Sequence, residues 1–204
     1  MVEGMPTASK AALRERLLAA RRCVADDVRA AEARALREHL EPVVEAGTTV
    51  CAYVPVGTEP GSTELLEALL RRSARVLLPV ARTDGPGNSD APLPLRWGEY
   101  RPGALVRGPW GLLEPAGPLL AASALAEAAL VIVPALAVDR HGVRLGRGGG
   151  FYDRSLGMRN PQARLIAMVR DAEFVDELPA EPHDVPMTHA LTPGQGLIAL
   201  PDRE

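Results

Sequence analysis

Two short apolar runs restrict the fold of this chain more than any other feature. Leu130-Val131-Ile132-Val133 and the stretch from Arg164 to Val169 show no polar–apolar alternation. Such runs suit strands covered on both faces, the usual situation in a parallel sheet. Helical patterns precede them. Ser9 to Arg22 places Leu13, Leu17 and Ala20 on one face, with Ser9 as a cap. Residues 27–45 carry Val28, Ala31, Ala35, Leu36 and Leu40 at helical spacing, and Gly47 ends the run. A short helix is expected from Ser62 to Leu70, and strands at 48–54, 75–80 and 95–97. Residues 83–94 read as an exposed loop, and the Gly- and Pro-rich stretch 101–118 as irregular. Residues 123–128 and 151–156 read as short helices, and Leu191 with 197–200 as a sheet edge.

Alternating strands and helices predict an α/β fold: a mainly parallel sheet flanked by helices, three layers α/β/α, Rossmann-like. One domain is expected over residues 1–204, with 1–8 flexible. Ligands of such sheets bind beyond the carboxyl ends of strands. That directs attention to the loops after Val54 and Val133.

Bulk properties exclude several classes. The 204 residues are 47% apolar and 24% charged with a net charge of −3, ordinary for a globular chain and no footprint for nucleic acid or membrane. No export pattern or long apolar run is present, and Cys23 and Cys51 show no metal or redox spacing, as expected in the cytoplasm. Of 23 basic residues one is lysine, Lys10. Its compact ammonium is chemically distinct from the guanidinium that this chain prefers.

Four constellations carry candidate chemistry. Lys10 and Arg14 stand four apart in a first helical turn, where like charges repel and cations oppose the helix dipole. A bound polyanion reverses both penalties; a solvated basic helix end is the plain alternative. The run Arg144-Leu145-Gly146-Arg147-Gly148-Gly149-Gly150-Phe151-Tyr152-Asp153 joins arginines to glycines whose N–H groups can cradle an anion. Asp153 adds a hard oxygen ligand for Mg²⁺. This loop is neither a Walker loop, since Phe151-Tyr152 stands where Lys-Ser/Thr is needed, nor a dinucleotide fingerprint. Glu59, beyond the strand that ends near Val54, can accept N–H donors from a heterocycle or be a solvated loop acid. Asp184, after His183, can join Asp153 around a metal or serve a turn. His39, His141, His183 and His189 lack zinc spacing, and no serine sits in a nucleophile elbow. Phe151 and Tyr152 offer a stacking surface or core packing.

In this order along nearly the whole chain, these pieces resemble the 5-formyltetrahydrofolate cyclo-ligases, also called methenyltetrahydrofolate synthetases. The longest match runs from Val133 through Pro134, Asp139, Gly142 and Arg144 to Tyr152-Asp153. Lys10 and Arg14, Tyr53 to Glu59, Trp110 to Pro115, and Asp184 match further motifs. Ala135, Val138, Phe151 and Pro60 depart from the usual Gly, Phe, Tyr and apolar residue. The resemblance implies that Lys10, Arg14 and Arg144 to Tyr152 bind ATP, with Lys10, Arg144 and Arg147 acting on the transferred phosphoryl group. It implies Mg²⁺ at Asp153 and Asp184, and folate at Val54, Glu59, Trp110 and Tyr152. The implied reaction is ATP-dependent closure of 5-formyltetrahydrofolate to 5,10-methenyltetrahydrofolate by a monomer. A different ATP- or sugar-phosphate-using enzyme and a catalytically silent regulator of the same fold are the alternatives.

Overall fold

The protein is described by a computed structural model covering residues 9–85, 91–182 and 184–201. The expectation of flexibility for residues 1–8, part of the loop 83–94, and His183 lie outside the described residues.

The first helix, α1 (Lys10–Arg22), begins where the Ser9 hydroxyl accepts the Ala12 N–H at 3.3 Å. Helix α2 (Asp26–Leu40) is shorter than its apolar pattern predicts. Pro42 has no N–H to donate, and the chain tightens into a 3₁₀ turn at Glu41–Val43. Next come β1 (Thr49–Cys51), α3 (Thr63–Arg72), β2 (Arg75–Val80) and β3 (Arg96–Glu99). The strands β4 (Leu105–Arg107), β5 (Leu113–Pro115), β6 (Leu119–Leu120) and β7 (Ala128–Pro134) follow. The chain closes with β8 (Ala137–Asp139), β9 (Arg144–Leu145), β10 (Arg164–Met168), β11 (Phe174–Val175), β12 (His189–Thr192) and β13 (Gly196–Ala199).

The main sheet runs β13-β12-β10-β7-β1-β2-β3-β6. Its centre, β12-β10-β7-β1-β2, is parallel, and β13, β3 and β6 pair antiparallel at the edges. Both faces are covered, as the apolar runs predict. Val50, Leu130, Ile132 and Ile166 face α2 and α3 through Leu36, Leu40, Leu66 and Leu69. Cys51, Val131, Val133 and Leu165 face the other way, toward Trp97, Leu125, Leu156 and Met187. Burying each such Leu, Val or Ile contributes about 1.5–3 kcal/mol. The fold is therefore α/β with a mainly parallel core flanked by helices. On the second face the cover is made of 3₁₀ turns at Ala122–Glu127 and Leu156–Met158 instead of the two short helices expected near them.

Two other regions differ from expectation. Residues 101–118 contain the hairpin β4–β5 instead of irregular chain. The Arg82 guanidinium clamps that hairpin by donating to both oxygens of Glu114, at 2.7 and 2.8 Å. A Cβ at Gly108 would stand 2.3 Å from the Glu114 carboxyl carbon, so a side chain there would displace that carboxylate from its place against Arg82. The loop after Val133 holds β8 and β9, which with β11 form a small three-stranded sheet. Leu17 of α1 packs on it against Leu136, Val143 and Leu145. The buried Asp139 carboxylate fixes its turn by accepting the N–H groups of His141, Val143 and Leu178. Among the described residues no helix is long and apolar enough to cross a membrane.

Candidate active site

Beyond the carboxyl ends of β1, β2 and β7 the chain encloses a cavity of about 320 Å³. Tyr53, Val54, Val56 and Glu59 line it from the loop after β1, Pro79 and Ala81 from the end of β2, and Pro134, the last residue of β7, with Ala135 and Leu136 just beyond it. Arg144 and the whole stretch Gly146 to Asp153 form the opposite wall. Both loops singled out by the strand-end rule thus open into one chamber.

The glycine wall is shaped for a close ligand. Gly148 and Gly150 adopt φ of +96° and +71°, a left-handed region open to glycine at little cost. Among the described residues, none of the backbone N–H groups from Gly146 to Gly150 donates a hydrogen bond to the protein. Consecutive free N–H groups on such a curve are the elements of an anion nest. Arg14 braces this wall from α1 by donating Nε–H to the Gly146 carbonyl at 2.9 Å. Arg144 is nearly buried, donates to Asp153 Oδ1 at 2.5 Å and to the Pro134 carbonyl at 3.3 Å, and lies 5.7 Å from the centre of the Tyr152 ring. Leu145 belongs to the core beneath α1, so its side chain is turned away from the chamber.

The carboxylate wall is equally fixed. Glu59 is 11% exposed, and its Oε2 accepts the Val56 N–H at 2.9 Å. Its Oε1 faces Arg147 Nε across 3.0 Å, which ties the two walls together. Tyr53 donates its hydroxyl to the Pro60 carbonyl at 3.1 Å and holds the same loop from below. Burial pushes the Tyr53 phenol up, and the Glu59 charge adds to it. Burial also pushes the Tyr152 phenol up, against the pull of the Arg144 guanidinium. Both phenols therefore stay neutral at working pH.

Lys10, Trp110 and Asp184 stand around the chamber, not in its wall. Lys10 reaches Glu181 at 3.1 Å and Asp184 at 3.3 Å. Trp110 sits at the turn of the β4–β5 hairpin in a left-handed conformation, φ 57°, with its ring centre 5.9 Å from that of Phe151, which does line the chamber. Asp153 and Asp184 each face a different cation, Arg144 and Lys10. Among the described residues no group of three or more His, Cys, Asp and Glu is arranged to hold a metal. The donor set still fits Mg²⁺, which commonly takes one or two carboxylates and completes its shell with water and substrate phosphates. Asp153, a hard oxygen donor on the chamber wall, is the better placed of the two.

Sequence reasoning did not single out Arg21, one of the lining residues. It is 1% exposed and lines the chamber floor. The signal was available: Leu13, Leu17 and Arg21 recur every four residues, so Arg21 falls on the apolar face.

These features define a class, an α/β protein with one chamber served by two loops of opposite charge. Comparison with known proteins gives the family. The model of the 5-formyltetrahydrofolate cyclo-ligase family matches residues 6–193. The 5-formyltetrahydrofolate cyclo-ligase of Mycolicibacterium smegmatis is 58% identical over 96% of this chain and 100% of its own. That of Escherichia coli K12 is 31% identical over 76% of this chain and 82% of its own. The 5,10-methenyltetrahydrofolate synthetase of Aquifex aeolicus, solved by NMR, has the same fold. Its TM-score is 0.71, with 23% identity over 96% of this chain and 94% of that one. The chain belongs to the 5-formyltetrahydrofolate cyclo-ligase family of enzymes.

Proposed function

We propose that the chain converts 5-formyltetrahydrofolate to 5,10-methenyltetrahydrofolate at the expense of ATP, releasing ADP and phosphate. The observation that carries this reading is the Arg147–Glu59 pair at 3.0 Å, which puts an anion-type loop and a carboxylate-type loop on one chamber. A reaction that joins a nucleotide phosphate to a folate needs that adjacency.

The free N–H groups of Gly146 to Gly150 and the arginines Arg144 and Arg147 hold the phosphates of ATP. Arg14 keeps the loop in place, and Lys10 adds charge at the rim. Phe151 and Tyr152 give the loop an apolar shoulder. On the other wall, Glu59 accepts N–H donors of the pterin, Val54 packs on the ring, and Trp110 closes over it from the hairpin. Asp153, with Asp184 from the rim, would hold Mg²⁺, which would supply neutralisation of phosphate charge there.

The formyl oxygen on nitrogen 5 attacks the γ-phosphorus, and the bond from that phosphorus to the β–γ bridging oxygen breaks. ADP leaves and an imidate phosphate of the folate remains. Nitrogen 10 then attacks the former formyl carbon, the carbon–oxygen bond breaks, phosphate departs, and nitrogen 10 loses its proton. Phosphoryl transfer depends chiefly on positioning and charge stabilisation. The chamber supplies both, and no protein nucleophile is needed. The chain works as a monomer in the cytoplasm, a setting consistent with its unpaired cysteines Cys23 and Cys51.

The direct test is absorbance of the methenyl product when the purified protein meets 5-formyltetrahydrofolate with and without ATP. Product only with ATP supports the reading. Binding of both ligands without product would instead favour a silent regulator.

A further inference from the structure

We propose that Arg21, at the chamber floor, is a substrate-binding residue whose Nη1 donates to the ring carbonyl of the pterin; this rests on the folate reading above. Three of its contacts are fixed. Nε donates to Glu173 Oε1 at 2.6 Å, and Nη2 donates to Glu173 Oε2 and to the Ala135 carbonyl, both at 2.7 Å. This side-on grip by Glu173 turns Nη1 away from the carboxylate. Nη1 is buried and has no hydrogen-bond partner. A buried guanidinium N–H without an acceptor costs free energy, and such groups are rare unless something completes them. The residue carrying it lines the chamber.

The chemistry of the pterin supplies the missing acceptor. Its pyrimidinone edge presents N–H donors directly beside a carbonyl oxygen. Glu59 is an acceptor and serves the N–H groups; the carbonyl then needs a donor. The other guanidiniums on the chamber wall are already engaged, Arg144 with Asp153 and Arg147 with Glu59. The formyl oxygen is not the atom held at the floor, because it must face the glycine loop to meet the γ-phosphate. Nη1 exposes almost no surface to water, so seating the carbonyl takes a small outward shift of the lining side chains. Ala135, one residue beyond β7, ties Arg21 to the sheet, so the donor is held by rigid elements.

The test uses Arg21→Lys, which keeps a cation beside Glu173 and removes the fork that carries Nη1. Calorimetric titration compares 5-formyltetrahydrofolate with its 4-amino-4-deoxy analogue, in which a donor replaces the carbonyl acceptor. Any penalty at Glu59 is common to both proteins, so the change in the affinity ratio isolates Arg21. The wild type should favour the natural ligand, and Arg21→Lys should shrink that preference by about tenfold, with ATP affinity unchanged. An unchanged ratio, with both ligands weakened alike, overturns the proposal and leaves Arg21 a structural residue. No binding of 5-formyltetrahydrofolate by the wild type overturns the folate reading itself. Should Arg21→Lys fail to fold, the double variant Arg21→Gln with Glu173→Gln removes both charges together and is read against the same two outcomes.

Discussion

Arg147 Nε and Glu59 Oε1 meet across 3.0 Å, so a cation of the glycine loop rests on the carboxylate of the opposite wall. Each ligand must therefore compete with one half of this pair. Glu59→Gln should weaken 5-formyltetrahydrofolate by roughly tenfold or more, the usual cost of removing a charged partner from a desolvated pocket. ATP affinity should hold, since Arg147 is then released toward phosphate. Arg147→Ala should do the opposite. Calorimetry of each variant with each ligand decides the matter, and equal losses for both ligands would remove Glu59 from the folate wall.

Lys10 stands between Glu181 and Asp184 at the rim. It is partly exposed, so its ion pairs contribute at most about 1 kcal/mol to stability. Lys10→Ala should raise the Michaelis constant for ATP while the melting temperature stays nearly constant. Lys10→Arg should restore ATP binding only in part, because the two cations differ in shape and hydration. A normal ATP constant in Lys10→Ala would make this lysine a tether for the 181–184 turn.

Asp153 offers the chamber a carboxylate already held by Arg144 at 2.5 Å. Asp153→Asn keeps the shape and removes the charge. Turnover should fall and the Mg²⁺ concentration for half-maximal rate should rise, with Asp184→Asn acting more weakly. Chelation of divalent ions should abolish turnover in the wild type and Mg²⁺ should restore it. An Asp153→Asn titration that matches wild type would take the metal away from this residue.

The Arg21–Glu173 pair is buried, and Glu173 also accepts the Arg170 N–H at 2.8 Å. Glu173→Ala leaves a guanidinium buried without its counter-charge, which typically costs about 3–5 kcal/mol. Urea unfolding should show that loss, and a much smaller one for Arg21→Lys. Unfolding midpoints within error of wild type for Glu173→Ala would mean that water reaches Arg21 freely.

Much of this architecture is legible in the sequence, for physical reasons. Leu130 to Val133 and Leu165 to Met168 are short, unalternating apolar runs of the kind that suits doubly covered strands, and α1 carries both its cap and its stripe. The glycine loop is legible because consecutive glycines and arginines have few other uses. Short pairings are not. The strands β8, β9 and β11 are two or three residues long, too short for any periodicity, and they exist because α1 and Asp139 hold them. The β4–β5 hairpin depends on Arg82, which lies more than thirty residues before Glu114 in the chain. Phe151 to Leu156 looks helical by composition, yet follows three glycines and settles into turns that end in a 3₁₀ segment. Arg21 was hidden by its charge, although its spacing from Leu17 placed it inside.

The most direct test of the central claim is the phosphate released from ATP by purified protein, measured with and without 5-formyltetrahydrofolate and beside methenyl absorbance. The account predicts almost no release without the folate, and with it phosphate and methenyl product in equal amounts. Phosphate release that ignores the folate, or methenyl product formed without ATP, would contradict it.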